Sequence, residues 1–151
     1  MTRSQLVVYL ARLFSFVREA QTPNTGQRVE GIQKWSGGVA GDSWCAHFAT
    51  MVLDIAFQGK SPIPRTGSCD EIMRLAKERG WLTNVAGKGD LFLYVKDGTD
   101  AHHVGIVTET WPVGLRGIAG NTSADGKSSN GTGVFEHEIV ASVFVRYPRD
   151  E

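Results

Sequence analysis

The chain has 151 residues, 41% of them apolar and 21% charged, the proportions of one globular domain that buries about 70% of its unfolded surface. Lys and Arg together number 16 and balance 16 Asp and Glu, so no basic field exists to gather nucleic acid or anionic lipid. The two cysteines, Cys45 and Cys69, are too few for a disulfide scaffold and form no C-x-x-C zinc motif, so each is read on its own.

At the N-terminus Arg3 precedes an apolar stretch, as in a secretory leader, but Arg12 interrupts it and no small-x-small cleavage site follows Glu19. Leu6, Leu10, Leu13, Phe14 and Val17 fall at helical spacing, so residues 1–20 are expected to form a core-packing amphipathic helix. No apolar run reaches the roughly 18 to 20 residues of a membrane span. Without a readable leader, delivery to any substrate outside the cytoplasm must rest on other machinery.

Pro23, Asn24, Gly26, Gly37, Gly38 and Gly41 bracket a short helical piece from Gln27 to Trp35. Asp42 or Ser43 is the predicted N-cap of a buried central helix, in which Trp44, Phe48, Val52 and Ile55 mark the apolar stripe. After Pro62 and Pro64, Thr66 or Ser68 caps a further helix from about Cys69 to Arg79, with Gly80 as its stop.

From Gly89 the period becomes two, predicting strands at 90–95, 103–108, 117–119, 134–139 and 142–147. Helices followed by antiparallel strands describe an α+β domain with a helix laid on a small curved sheet. Residues 120–133, rich in Gly, Ser, Thr and Asn, read as a mobile hairpin loop over one end of that sheet.

Chemistry points first to Cys45. Two or three residues past a helix cap, unpaired N–H groups and the helix dipole favour a thiolate. A thiolate nucleophile needs a histidine to carry the proton and a third group to orient the ring. His102 and His103 stand at a strand start and point to opposite sides, so only one of them faces Cys45. Asn121 ends the next short strand and neighbours the histidine strand if the two pair antiparallel. Cys69 is read as a core residue, His47 as packing or surface, and His137 as an ordinary strand residue. Trp44 is a packing anchor beside the nucleophile.

The segments GDSWCAHFATMVL, GDLFLYV, HHVGIV and IAGNTS resemble, in order, the motifs of the CHAP family of cysteine- and histidine-dependent amidohydrolases and peptidases. The resemblance spans residues 27–146 and implies a papain-like fold, so that 1–151 is one catalytic domain. It implies Cys45 as nucleophile, His103 as general base and Asn121 as the orienting group, with the Cys45 backbone N–H in the oxyanion hole. Many relatives carry an acidic residue where this chain has Ala119 and a small one where it has His102.

The implied reaction is acyl transfer on peptidoglycan, at the bond between muramic acid and the first alanine or within the stem peptide or cross-bridge. No cofactor and no metal is required. The expected partners are the wall peptide and an immunity or inhibitor protein, with no nucleic acid and no membrane insertion. The expected site of action is the bacterial wall or periplasm, reached by phage lysis or specialised secretion. Two other readings are weighed: a catalytically silent papain-like domain that binds a wall peptide or a protein, and the same chemistry on a non-wall amide.

Overall fold

Thr2 opens the first helix with a capping box: its hydroxyl accepts the Gln5 N–H at 3.1 Å while the Gln5 side chain accepts the Thr2 N–H at 2.8 Å. In the computed structural model, which describes residues 1–97, 100–126, 128 and 131–151, this helix, α1, runs Arg3–Leu13 and buries Val7, Val8 and Ala11. It stops well short of residue 20. Ser15 donates its hydroxyl to the Arg12 carbonyl, and Arg18 leaves the helical path to bridge Gly133, its guanidinium 4.0 Å from the Phe135 ring centre. Val17 is buried as its spacing predicts, but in an extended segment held by tertiary contacts.

Helix α2 (Gln27–Trp35) buries Val29, Ile32 and Gln33. The Gln33 amide donates to the carbonyls of Asn24 at 2.9 Å and Asp42 at 2.8 Å, fixing the loop that leads into the central helix α3 (Cys45–Ala56). The N-cap of α3 is Trp44, without a side-chain cap bond, and not Asp42 or Ser43. Those two are engaged elsewhere: Asp42 accepts the Val39 N–H at 2.9 Å, and Ser43 accepts from Asn121. Helix α4 (Cys69–Arg79) starts as its sequence predicts, with Ser68 accepting the Glu71 N–H at 3.1 Å, and ends on left-handed Gly80.

The strands follow as β1 (Leu82–Thr83), β2 (Leu91–Lys96), β3 (Asp100–Glu109), β4 (Arg116–Thr122), β5 (Gly133–Glu138) and β6 (Val143–Val145). They make one open antiparallel sheet in the order β1-β6-β2-β3-β4-β5. The molecule is therefore α+β, as its periodicity predicts. Of the 120–133 segment, Lys127, Ser129 and Asn130 lie outside the described residues. Nearest the sheet, Gly131 and Thr132 donate backbone N–H groups to Asn121 and Thr122.

Helices α1, α3 and α4 pack on one face of the sheet and α2 packs on α3, and the main core holds Trp44, Phe48, Val52, Ile72, Leu91, Val104 and Ile118. A smaller core on the other face gathers Phe92, Val107, Ala119 and Phe144. Gly120 lets α3 approach β4 closely, because a Cβ there would lie 2.8 Å from both the Trp44 ring and the Phe48 side chain. Trp44 is the packing anchor its position predicts: it is fully buried, with its indole N–H donating to Glu19 at 2.7 Å. Among the described residues no helix is long and apolar enough to cross a membrane.

Candidate functional site

Cys45 is the first residue of α3 rather than two or three residues inside it. A thiol at this position still lies at the positive end of the helix dipole, beside N–H groups that the helix itself leaves unpaired. Cys69 is likewise the first residue of α4. The two helix starts converge, and the sulfurs lie 3.5 Å apart although 24 residues separate them in sequence. The separate sequence patterns around the two cysteines carry no sign of this contact.

The Cys45 thiol is pushed well below its ordinary range, first by the hydrogen bond from Cys69. Burial opposes that shift, and the His103 side chain and the Val104 backbone N–H add to it. Cys69 moves the other way: donating to Cys45, lying beside its charge and being buried all hold the Cys69 proton in place. The contact thus favours negative charge on Cys45 over Cys69.

Strand β3 separates the doubled histidines as alternation predicts: His102 is exposed and His103 is buried. The His103 ring stacks on Tyr94, its cross-strand partner, with centroids 5.5 Å apart and planes at 25°. Within reach of Cys45, neither ring nitrogen of His103 makes a hydrogen bond of normal geometry among the described residues. Such a gap is common at a catalytic pair before substrate closes it.

Asn121 lies on β4, next to β3 in the sheet. Ile106 of β3 faces Ile118 of β4 in antiparallel register, so His103 and Asn121, each three residues further along, stand at the same end of the pair. The Asn121 backbone is left-handed, with φ 56°, a conformation that Asn tolerates better than most residues. Its amide donates to the Ser43 hydroxyl at 2.9 Å, while its Oδ1 is buried without a partner among the described residues. An acceptor and a ring with unused N–H capacity among the described residues thus lie at one end of neighbouring strands, and Ser43 ties the acceptor to the segment that carries Cys45.

His47 is neither surface nor simple packing. It is 4% exposed, its Nδ1 pairs with the Ser36 hydroxyl, and its Nε2 lies 3.6 Å from Asp42. The ring is held between Gly38 and Gly67, where added Cβ atoms would collide with it. Burial lowers its pKa, against the pull of the Asp42 carboxylate. These groups, with Ser43 and Ser68, line a cleft of about 410 Å³ that runs up to the two cysteine-bearing helix starts.

His137 on β5 is also buried. Its Nδ1 lies 2.9 Å from the Glu138 carbonyl, and burial, aided by the nearness of His103, lowers its pKa. Cys69, Ser43 and the Ser36–His47–Asp42 cluster are the site residues that sequence reading left out. The serine before each cysteine-bearing helix is the one local signal they carry. Among the described residues no group of three or more His, Cys, Asp and Glu side chains is placed to hold a metal ion. Comparison of the chain with family models, characterised proteins and solved structures found no match.

Proposed function

We propose that the protein is a cysteine amidohydrolase or peptidase of papain-like architecture, acting on amide bonds of bacterial peptidoglycan through a thioester on Cys45. One observation carries this reading: a thiol at the start of a buried helix, favoured towards the thiolate by its neighbours and within reach of a buried histidine whose ring nitrogens have no partner among the described residues. The wall substrate rests on the resemblance of the ordered motifs to the CHAP family.

In the first half-reaction the Cys45 sulfur attacks the amide carbonyl and the negative charge moves to the carbonyl oxygen. The Cys45 backbone N–H, at the start of α3, supports that oxyanion. His103 gives a proton to the leaving amine as the C–N bond breaks, which leaves an acyl thioester. His103 then takes a proton from water, the hydroxide adds to the thioester, and collapse releases the acid and the Cys45 thiolate.

Asn121 orients the ring by accepting one imidazole N–H on its free Oδ1, leaving the other nitrogen to face the substrate. The cleft beside Ser43 and Ser68 receives the peptide. Ala119 removes the carboxylate that many relatives place two residues before the asparagine, so a neutral amide does the orienting here.

Reduced wild-type protein is expected to release peptides from purified peptidoglycan, and Cys45→Ala is expected to release none. Equal release by the two proteins overturns the reading. If neither acts on peptidoglycan, capture of a thioester from a panel of peptide amides separates hydrolysis of another amide from a domain that only binds.

A further inference from the structure

We propose that Cys45 and Cys69 form a reversible disulfide, so that the nucleophile is switched off by oxidation and restored by a dithiol. That the bond silences an enzyme rests on the hydrolase reading above; the bond itself does not.

Three features of the fold support it. The sulfurs already lie 3.5 Å apart, and a disulfide needs about 2.05 Å, a closure within the range of side-chain rotation. Both cysteines open helices, so each sulfur sits where helix geometry favours thiolate character. Neither cysteine is wholly closed to solvent, at 3% and 9% exposure, and the serines that precede them, Ser43 and Ser68, line one cleft, so a small oxidant has open space close by.

The chemistry balances with a hydroperoxide as oxidant. The Cys45 thiolate attacks the peroxide oxygen, the O–O bond breaks, and Cys45 becomes a sulfenic acid as the peroxide leaves as hydroxide or alkoxide. Cys69 then attacks the sulfenic sulfur. The S–S bond forms, the S–O bond breaks, and the departing hydroxide takes the Cys69 proton as water. The order of events suits the pair: what holds the Cys69 proton is chiefly its bond to the Cys45 sulfur, and that restraint ends once Cys45 is no longer an anion. Reduction by a dithiol reverses the bond with two electrons and two protons. Without Cys69, further peroxide carries Cys45 on to a sulfinic acid, which dithiols do not restore.

The test uses the full chain. Wild type, Cys69→Ser and Cys69→Ala are reduced, exposed to hydrogen peroxide, denatured, alkylated with N-ethylmaleimide and weighed intact. Oxidised wild type should be lighter by two hydrogens and take up no maleimide, and dithiothreitol should return both alkylatable thiols. Each Cys69 variant should instead gain oxygen at Cys45 and resist dithiothreitol. Far-UV circular dichroism keeps misfolding apart from lost chemistry.

Wild type that gains oxygen like the variants, or that forms only cross-linked dimers, overturns the proposal. In parallel, peptide release by oxidised wild type should fall to the level of Cys45→Ala and return on reduction. Persistent release from fully oxidised protein overturns the switching role. If reduced protein releases nothing while the intramolecular bond forms, the hydrolase reading fails and the disulfide stands.

Discussion

Asp90 and His103 are both closed to solvent, at 0% and 1% exposure, yet their surroundings differ in kind. Asp90 is saturated. It accepts the Gly87 N–H at 2.7 Å and pairs with Arg146 at 2.7 Å and with Arg149. Next to it the Tyr147 hydroxyl donates to the Gly89 carbonyl at 2.6 Å. His103 is unsaturated: both ring nitrogens, and Oδ1 of nearby Asn121, have no partner among the described residues. A buried polar group ordinarily loses stability when left unpaired. The completed cluster holds the chain, and on the proposed hydrolase reading the open one is the one that meets a substrate.

Removing one member of each cluster separates the two roles. Cys45→Ala should lower peptide release on the order of 10⁴-fold or more and leave the urea midpoint close to wild type. A large loss of stability would show that the open cluster is structural after all. Asp90→Asn should do the reverse, lowering stability by about 3 kcal/mol because two arginines lose a buried countercharge. Its folded fraction should alkylate at Cys45 like wild type.

Asn121→Gly keeps the left-handed backbone while removing the acceptor. It should lower kcat by roughly 10- to 100-fold with KM nearly unchanged; an equal effect on both constants would mean that Asn121 holds substrate rather than the ring. The pH profile of Cys45 alkylation sharpens the same point. Intact mass should show an inflection well below the free-thiol value of about 8.5. Cys69→Ala and His103→Ala should each move it upward, since both side chains favour the thiolate. An inflection that moves in neither variant removes both contacts from the account.

A smaller effect follows from His47 and His137, whose pKa values burial lowers. Above the unfolded value of about 6.5 both are neutral in either state, and the full stability is present. As pH falls from there through the lowered folded values, the unfolded chain binds protons first, so stability drops. Urea midpoints should therefore fall between neutral and mildly acidic pH, and less steeply in His47→Gln. At the bottom of the scale, Arg74→Ala breaks an exposed Glu78 pair at 3.0 Å and should change stability by less than about 0.5 kcal/mol.

Much of this arrangement is legible in the sequence, and the rest is hidden for identifiable reasons. Periodicity marks α2 to α4 and the five longer strands, because apolar residues recur at the spacing of each element, even in β4, which is buried on both faces. Alternation along β3 sends His102 and His103 to opposite sides, and the structure adds which of them is buried. The end of α1 is not legible: Phe14 and Val17 continue a helical pattern, and what diverts the chain is Arg18 meeting Gly133 and Phe135 from far along the sequence. The Asp42 or Ser43 cap fails because Asp42 is taken up by the local turn at Val39 and Ser43 by Asn121 from β4. Least legible is Cys69, because a cap signal states where a helix begins and nothing about which other helix begins beside it.

The histidine clasped between Gly38 and Gly67 has a mechanical consequence. The two glycines belong to the segments that lead into the two cysteines, so the thickness of one imidazole sets how far apart those segments stand. A methyl group added at Gly38 would lie 2.6 Å from the ring and would have to be accommodated by spreading the segments. If spreading these segments parts the two helix starts, Gly38→Ala should slow the joining of the sulfurs without altering either sulfur.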